Sequence, residues 1–232
     1  MRVGIMQPYF LPYIGYWQLL NAVDQYVLYD DVNYINRGWI NRNRILLNGA
    51  PAYLTVPLHG ASQNKKINEI EISSDEKSRA KNLRTVELAY KKAPFFEQVF
   101  PLYQEIIQNP EPNLAVYLEF SIRKVCRYLG IQTKLLSSSS LPKDNTLKGQ
   151  DKILSICKLL AADDYYNAIG GQTLYDASAF AAQGLHLHFL QTDPIEYKQF
   201  DPVFSPNLSI LDVMMFNSQD EIQTMLRSFT LL

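Results

Sequence analysis

The sequence predicts an α/β fold built on a parallel sheet, and three observations lead to this prediction. Residues 2–6 form a short apolar run, residues 17–23 an apolar helix and residues 25–29 a second strand, which is the order of a βαβ unit. The alternation of strand and helix patterns returns in the last hundred residues, and the chain between the two regions has other patterns. Strands alternating with helices favour helices on both faces of one sheet. We therefore expect a Rossmann-like three-layer core made by both ends of the chain and interrupted by a β-hairpin and a helical block.

The composition is that of a folded globular chain of 232 residues, with 47% hydrophobic and 19% charged residues. We expect a single α/β domain over residues 1–232. The net charge of −1 gives no electrostatic reason to expect nucleic acid as a partner. Cys126 and Cys157 are too few for a disulfide framework and are expected to be reduced and buried. No run approaches the roughly 20 apolar residues of a membrane span, and no signal-peptide pattern opens the chain, so the expected location is cytoplasmic.

The middle of the chain is expected to interrupt the sheet. Residues 52–59 and 67–73 alternate apolar and polar side chains, which predicts two half-buried strands paired as a hairpin across a polar loop. Three helical patterns follow, broken before Pro94 and by a proline-containing loop, and ended by Gly130. The predicted helices cover residues 75–92, 95–108 and 114–129. This helical block, at about 75–130, is expected to be a subdomain or an insertion.

After the block, strand and helix patterns alternate again. Ile153, Ile156 and Leu160 belong to a broad apolar helix face, and Asp176 is placed to cap a shorter helix. The predicted elements are a strand at 133–137, a helix at 148–162, a strand at 164–169, a helix at 176–183, a strand at 185–191 and closing helices at 208–216 and 220–229. Because ligands of such sheets bind beyond the carboxyl ends of the strands, the loops that follow the strands are the candidate sites.

The loop after the first strand is the strongest of these candidates. Gly15 stands where the first helix begins, and free amide groups at a helix N-terminus favour anions such as phosphate. Gln7, Tyr9 and Tyr16 carry side chains that can hydrogen-bond a ligand at the same turn. The alternative is a connection fixed by prolines, whose tyrosines only pack.

This layout resembles the first unit of the nucleotidyltransferase superfamily, which includes phosphopantetheine adenylyltransferase and pantothenate synthetase. In that superfamily a proline-containing loop leads to a Gly-His pair at the start of an apolar helix, and an Asp precedes the next strand. Pro12, Gly15, Tyr16 and Asp24 stand at the matching places of this chain. Gln7 and Tyr16 lie where the superfamily has the histidines that bind nucleotide phosphates. The resemblance implies a phosphate loop without the usual residues of adenylyl transfer.

The second candidate is the cationic segment at residues 37–44. Its arginines can clamp phosphate or carboxylate bidentately and neutralise charge that builds up during group transfer. Its asparagines add donors and acceptors, and its tryptophan can stack on a base or sugar. The alternative is a surface loop of solvated arginines. We predict catalytic roles for Arg37 and Arg42, ligand-binding roles for Asn41 and Arg44, and supporting roles for Trp39 and Asn43.

Two further pairs follow predicted strands. Asp30 and Asp31 are catalytic candidates that can act as a general base, hold a divalent ion or pair with the arginines, and all three readings stay open. Gly170 and Gly171 let the backbone approach a ligand closely, although an ordinary strand–helix turn has the same residues. This pair is weaker than the three spaced glycines of a dinucleotide fingerprint.

His186 and His188 alternate on one predicted strand and therefore share a face. A zinc site needs further ligands, and the sequence offers no clear third one. We therefore predict no metal site at these histidines.

Six segments together resemble the WbqC-like protein family, and the resemblance spans nearly the whole chain. The matching segments are MQPYFLPYIGYWQLL at 6–20, RGWINRNRI at 37–45, LTVP at 54–57, INEIEI at 67–72, YKQF at 197–200 and LSILD at 208–212. The resemblance implies a bacterial protein associated with surface-polysaccharide synthesis. From the placement of the first loop and the arginine cluster we expect a group transferase, for nucleotidyl, acyl or aminoacyl transfer, with ATP or another nucleotide as cofactor and a small phosphate-bearing substrate. The alternative is a non-catalytic scaffold that binds enzymes of the same pathway.

Overall fold

The computed structural model describes residues 1–232 and contains ten strands and eight α-helices. The strands are β1 (Arg2–Met6), β2 (Gln25–Leu28), β3 (Arg42–Leu47), β4 (Ala50–Thr55), β5 (Leu58–His59), β6 (Glu71–Ile72), β7 (Lys134–Ser137), β8 (Asp164–Ala168), β9 (His186–Thr192) and β10 (Phe229–Leu231). The helices are α1 (Ile14–Ala22), α2 (Glu76–Tyr90), α3 (Phe96–Gln108), α4 (Leu114–Leu129), α5 (Gly149–Leu159), α6 (Ala177–Ala181), α7 (Ile210–Phe216) and α8 (Gln219–Met225).

The central sheet has the strand order β10-β9-β8-β1-β2-β7. Five strands are parallel, and β10 pairs antiparallel with β9 at one edge. Counted along the chain within this sheet, the order is the 3-2-1-4-5-6 order of dinucleotide-binding folds. The predicted Rossmann-like α/β fold is confirmed. The strand order reverses between β1 and β8, so a ligand crevice is expected at the carboxyl ends of these two strands.

The sheet separates two cores, because successive side chains of a strand point to opposite faces. Val3 and Ile5 of β1 pack with Ile156 of α5 and Phe180 of α6 in the smaller core. On the other face Tyr26 of β2 joins the larger core, to which α1, the helical block and the two closing helices contribute. This arrangement gives the three layers that the sequence predicts.

The cysteines lie one on each side of the sheet, Cys126 in the larger core and Cys157 in the smaller one. Both are free, and burial raises the pKa of each thiol to about 12. No helix combines the length and apolar character that a membrane crossing requires.

The hairpin differs in part from the prediction. Residues 42–47 are a strand, β3, which pairs antiparallel with β4 across Asn48 and Gly49. Both turn residues have positive φ, +52° and +75°, as the Asn-Gly turn of a two-residue hairpin requires. The predicted pairing of 52–59 with 67–73 is confirmed only for the two residues of β5 and the two of β6. The position of the main hairpin is therefore set by the Asn-Gly pair between two apolar runs and not by the alternation of the later segments.

The last element also differs. The predicted helix at 220–229 ends at Met225, and Phe229–Leu231 adds β10 to the edge of the sheet. Leu231 pairs with Leu190 in this short antiparallel contact. A strand of three residues is too short to show an alternating pattern, so periodicity did not predict it.

Candidate functional site

A cavity of about 280 Å³ lies where the loop after β1 meets the start of β3 and the segment before α7. Its walls combine aromatic rings, two asparagines and one arginine. The lining residues are Tyr9, Pro12, Tyr13, Trp39, Asn43, Arg44 and Asn207. The structure thus brings together the first two sequence candidates, the first loop and the cationic segment. We call this space the arginine cavity.

Backbone hydrogen bonds join the three walls of the arginine cavity. The Phe10 N–H donates to the Ile40 carbonyl oxygen over 3.0 Å, which links the first loop to the cationic segment. The Ser209 N–H donates to the Arg44 carbonyl oxygen over 2.8 Å, and the Ile210 N–H donates to that of Pro12 over 2.9 Å. The cavity side chains therefore project from a frame held by main-chain contacts rather than from mobile loops.

Two non-glycine residues in this frame have left-handed backbone conformations. Leu11, which is buried, has φ +43°, and Asn207 has φ +57°. Positive φ is uncommon for a bulky residue and costs about 1–3 kcal/mol, so the surroundings must hold it. The Ser209 hydroxyl does so by donating to the Leu11 carbonyl oxygen over 2.7 Å. Strain of this kind clusters at ligand sites.

Arg44 is the charged group of the arginine cavity. Its Nη2 donates to the Asn207 carbonyl oxygen over 3.3 Å, and its Nε is buried with no partner. Its guanidinium carbon lies 5.5 Å from the centre of the Trp39 ring. A guanidinium has five N–H donors, and no carboxylate pairs with this one. Arg44 therefore has donors free for an anionic group in the cavity.

Gln7 and Tyr9 lie next to each other at the start of the first loop. The Tyr9 hydroxyl donates to Gln7 Oε1 over 3.4 Å, and the Tyr16 hydroxyl donates to the Gln7 carbonyl oxygen over 3.2 Å. Tyr16 is buried with its ring edge-on to that of Tyr26 at 5.5 Å, so it supports the loop from beneath the cavity. Burial raises the pKa of both Tyr9 and Tyr16, which keeps their hydroxyls protonated as donors.

Gly15 allows close packing at the start of α1. A Cβ at this position would lie 2.5 Å from the Tyr13 hydroxyl and 2.6 Å from the Thr192 hydroxyl. The first turn of α1 is thus covered by the Tyr13 side chain. A phosphate would reach the amides of this turn only after Tyr13 had moved.

Arg37 and Arg42 lie outside the arginine cavity. Arg42 donates through Nε to the Gly38 carbonyl oxygen over 3.2 Å and through Nη2 to that of Arg37. Its guanidinium carbon lies 4.4 Å above the Tyr53 ring of β4. Arg42 and Arg44 are two residues apart on β3 and share one face of the hairpin, so Arg42 extends the cationic surface beyond the cavity.

The two asparagines of the cationic segment are buried. Asn41 accepts from the Tyr34 hydroxyl over 2.9 Å and donates to the Val56 carbonyl oxygen over 2.8 Å. Asn43 donates to the Phe10 carbonyl oxygen over 3.2 Å. Both amides therefore tie the segment to its neighbours.

Asp30 and Asp31 form a closed cluster at the carboxyl ends of β2 and β7. Asp30 accepts from the Ser139 backbone N–H over 2.9 Å and from the Ser139 hydroxyl. Asp31 Oδ2 lies 2.8 Å from Lys143 Nζ and 2.9 Å from Lys152 Nζ, and all three side chains are buried. Burial alone would raise the pKa of Asp31, but the hydrogen bonds from the two lysines outweigh it and lower the pKa. The third alternative predicted that the aspartates pair with the arginines of the cationic segment. Asp31 does form ion pairs, but its partners are Lys143 and Lys152.

Gly170 and Gly171 lie in a 3-10 helix that follows β8, beside the end of β1. A Cβ on Gly171 would lie 3.0 Å from Asn167 Nδ2, so this glycine admits the Asn167 amide. The pair is at the predicted edge of the sheet, but it does not line the arginine cavity.

His186 and His188 lie at the opposite, amino-terminal end of the sheet. His188 Nε2 is 2.8 Å from Asp164 Oδ1, and His186 Nδ1 is 3.5 Å from the same oxygen. The structure contains no group of three or more His, Cys, Asp or Glu side chains that could hold a metal ion.

Sequence reasoning missed two residues of the arginine cavity, Tyr13 and Asn207. Tyr13 lies in the candidate loop itself, and its exposed ring distinguishes it from its buried neighbours. Asn207 is 163 positions from Arg44, and no local pattern connects the two. Contacts of Ser209 and Ile210 with the first loop and with β3 bring Asn207 to the site.

Comparison with known proteins gives a family and one uncharacterised relative. The sequence model of the WbqC-like protein family matches residues 7–224. A protein of Mycobacterium tuberculosis, described as uncharacterized protein Rv1507c, is 29% identical over 234 residues, which cover 97% of each chain. No solved structure matches the chain.

Proposed function

We propose that this chain, which belongs to the WbqC-like protein family, is a group transferase that binds a nucleotide or a nucleotide-linked sugar in the arginine cavity. The observation that carries the proposal is the position of Arg44. Arg44 lines a cavity walled by aromatic rings at the carboxyl edge of a Rossmann-like sheet, and no carboxylate pairs with its guanidinium. We assign the activity to bacterial cell-surface polysaccharide synthesis in the cytoplasm.

Each wall of the arginine cavity suits one part of such a ligand. Arg44 would bind a phosphate oxygen through its free N–H groups, because guanidinium and phosphate form strong charge-assisted hydrogen bonds. Trp39 and Tyr13 would pack on a base or a sugar ring. The Tyr9 hydroxyl would donate to an oxygen of the ligand. At about 280 Å³ the cavity is at the lower limit for small-molecule sites, so a nucleotide would be enclosed only in part.

The predicted catalytic residues have unequal support. Arg42 follows the same face of β3 and can meet a ligand that extends from the cavity. Arg37 is exposed beside it, and its carbonyl oxygen holds Arg42 in place. Asp30 and Asp31 are held by Ser139 and the two lysines, so neither stands as a base in the proposed site.

Calorimetric titration with ATP, CTP, coenzyme A and UDP-glucose tests the proposal. We expect at least one of them to bind, and Arg44→Gln to weaken that binding by about tenfold or more, because a lost charge-assisted hydrogen bond is worth about 1.5–3 kcal/mol. Arg84→Gln is the matched control, since Arg84 is exposed on α2 and forms no ion pair. Binding that Arg44→Gln leaves unchanged, or no binding of any of the four ligands, would refute the proposal.

One observation favours a second candidate, a non-catalytic binding protein of the same pathway. Ile35, Trp39 and Tyr53 are exposed by 50%, 41% and 56%, and Arg42 stacks on Tyr53. Aromatic residues and arginine are enriched in protein interfaces. On this reading, Tyr53→Ala would reduce the affinity for a purified glycosyltransferase of the pathway, and none of the four ligands would bind.

A further inference from the structure

A second and larger cavity, of about 580 Å³, adjoins the arginine cavity. One wall is formed by the end of β9 and the segment that follows it. The other wall is formed by the segment that leads to α7. Tyr13 and Asn207 line both cavities, so the two spaces meet at these side chains. A volume of this size is typical of small-molecule sites.

The charges of the two cavities are opposite. Asp193 and Glu196 line the larger cavity, and no lysine or arginine does. Neither carboxylate takes part in an ion pair. Asp193 accepts one hydrogen bond, from the Thr230 hydroxyl over 3.0 Å. The larger cavity therefore presents uncompensated negative charge, whereas the smaller one presents the guanidinium of Arg44.

One wall of the larger cavity is aromatic and is held in place by hydrogen bonds. The rings of Tyr197 and Phe204 meet edge to face at 5.0 Å. The Tyr197 hydroxyl donates to Asp212 Oδ2 over 2.7 Å, and the buried Asp212 also accepts from Tyr90 over 2.7 Å and from Gln199 over 2.8 Å. This network fixes the aromatic wall to α7 and α2. The space thus offers a rigid apolar surface beside two carboxylates.

We propose that the larger cavity is the subsite of a second substrate, an organic molecule that carries a primary ammonium group on an apolar body. The ammonium would lie between Asp193 and Glu196, and the apolar body would pack on Phe204 and Tyr197. The role of this molecule as the acceptor of the transferred group rests on the proposed transferase function. Its binding in the larger cavity does not. The wall formed by Tyr13 and Asn207 would place this molecule next to a ligand bound at Arg44.

The transfer that this arrangement allows is balanced in atoms and charge. The ammonium gives one proton to Glu196 or to solvent and becomes an amine. The amine nitrogen then forms a bond to the transferred group, while the bond between that group and a phosphate oxygen breaks. The oxygen leaves with the electron pair, its negative charge beside Arg44, and the nitrogen releases its second proton to solvent.

Binding of tyramine and tyrosol tests the subsite, because tyrosol has the same ring and chain with a hydroxyl in place of the ammonium. We expect calorimetry to show tyramine bound about tenfold or more tightly than tyrosol, since only the ammonium forms charge-assisted hydrogen bonds with the two carboxylates. Glu196→Gln should reduce this preference, and Asp193→Asn combined with it should abolish the preference. The Glu196 side chain is exposed and makes no hydrogen bond, so Glu196→Gln should fold normally. If the double variant does not fold, this single variant still tests the proposal. Glu87→Gln, exposed on α2, is the control.

Equal affinity for the two compounds, no binding of tyramine, or a preference that survives Glu196→Gln and the double variant would overturn the proposal. The Arg44→Gln titration separates the two proposals. A nucleotide that binds at Arg44 without any tyramine binding refutes only the subsite. Tyramine binding that depends on Glu196 without nucleotide binding refutes the transferase and leaves the subsite as a cation-binding site.

Discussion

Two polar regions lie beyond the carboxyl ends of the strands, and they differ in how their charges are matched. The cluster after β2 and β7 pairs Asp31 with Lys143 and Lys152, and all three side chains are excluded from solvent. The arginine cavity after β1 has one cation, Arg44, with free donors and an opening between aromatic rings. Of the two regions, only the arginine cavity leaves a charged group without a charged partner and so available to a ligand.

The two regions also do different work in the fold. The lysine cluster connects the residues after β2 to the loop after β7 and to α5, so its charges stabilise the sheet edge. The arginine cavity is held by backbone hydrogen bonds, to which Asn43 and Arg44 add side-chain hydrogen bonds, and it has no buried ion pair. Substitutions in the cluster should thus affect stability, and substitutions in the cavity should affect binding.

The largest effect is expected for Asp31→Ala. Removal of this carboxylate leaves two buried ammonium groups without a counter-ion, which should lower the free energy of unfolding by about 3–5 kcal/mol. Urea unfolding followed by circular dichroism measures this. Glu87→Ala on the exposed face of α2 is the control and should change the value by less than about 0.5 kcal/mol. A loss below about 1 kcal/mol for Asp31→Ala would contradict a buried cluster in which Asp31 is the counter-ion of both lysines.

The pH dependence of stability should separate Asp31 from Asp212. The pKa of Asp31 is lowered below its ordinary 3.8, so its stabilising contribution is present above that value and is lost as the pH falls through the folded-state pKa. Burial raises the pKa of Asp212 despite the hydrogen bonds from Tyr197, Tyr90 and Gln199. Its contribution therefore grows as the pH falls through that raised pKa toward 3.8.

Unfolding free energies measured from about pH 7 to pH 3 for wild type, Asp31→Asn and Asp212→Asn check these signs. The unfolding free energy of wild type minus that of Asp31→Asn should decrease below about pH 4. The unfolding free energy of wild type minus that of Asp212→Asn should increase as the pH falls toward that value. Each slope is limited to about 1.4 kcal/mol per pH unit for one proton. If the two differences changed in the same direction with pH, the pKa values of Asp31 and Asp212 would not be shifted in opposite directions.

Gly15→Ala should weaken binding more than it weakens the fold. The new methyl group would displace the Tyr13 ring and the Thr192 hydroxyl, whose oxygens lie 2.5 Å and 2.6 Å from the Cβ position. A gain of about 1 kcal/mol in helix propensity offsets part of this overpacking. We expect the free energy of unfolding to stay within about 1 kcal/mol of wild type and the affinities for the nucleotide and for tyramine to fall by about tenfold. Glu87→Ala, exposed on α2 and outside both cavities, is the control. Unchanged affinities in Gly15→Ala would contradict a shared Tyr13 wall.

The smallest effect is expected for Arg42→Gln. This arginine stacks on the exposed Tyr53 ring, a contact worth about 0.5–1 kcal/mol at an exposed site. Thermal unfolding should show a loss of about that size, and Tyr53→Leu should show a similar one. A nucleotide affinity reduced as much by Arg42→Gln as by Arg44→Gln would move the proposed phosphate position outward along β3.

The regular elements were largely predictable because their signals are local. The βαβ start, the helical block and the alternation after residue 133 follow from apolar periodicity and capping residues over short windows. The β3–β4 turn had a local signal as well, the Asn48-Gly49 pair, although the prediction placed the hairpin on the alternating segments that follow. β10 had none, since three edge residues are too few to show a period.

The candidate site was predictable only in part. The sequence by itself determined that an aromatic first loop and an arginine-rich segment both follow strands, because strand, loop and helix are encoded by near neighbours. Only the tertiary structure decided that Arg44 faces a cavity while Arg42 stacks on Tyr53, and that Asp31 is bound by two lysines more than a hundred positions away. It also decided that Asn207 closes the arginine cavity beside Tyr13. The physical reason is that charge pairing and burial depend on which distant segments meet, and no local pattern records those contacts.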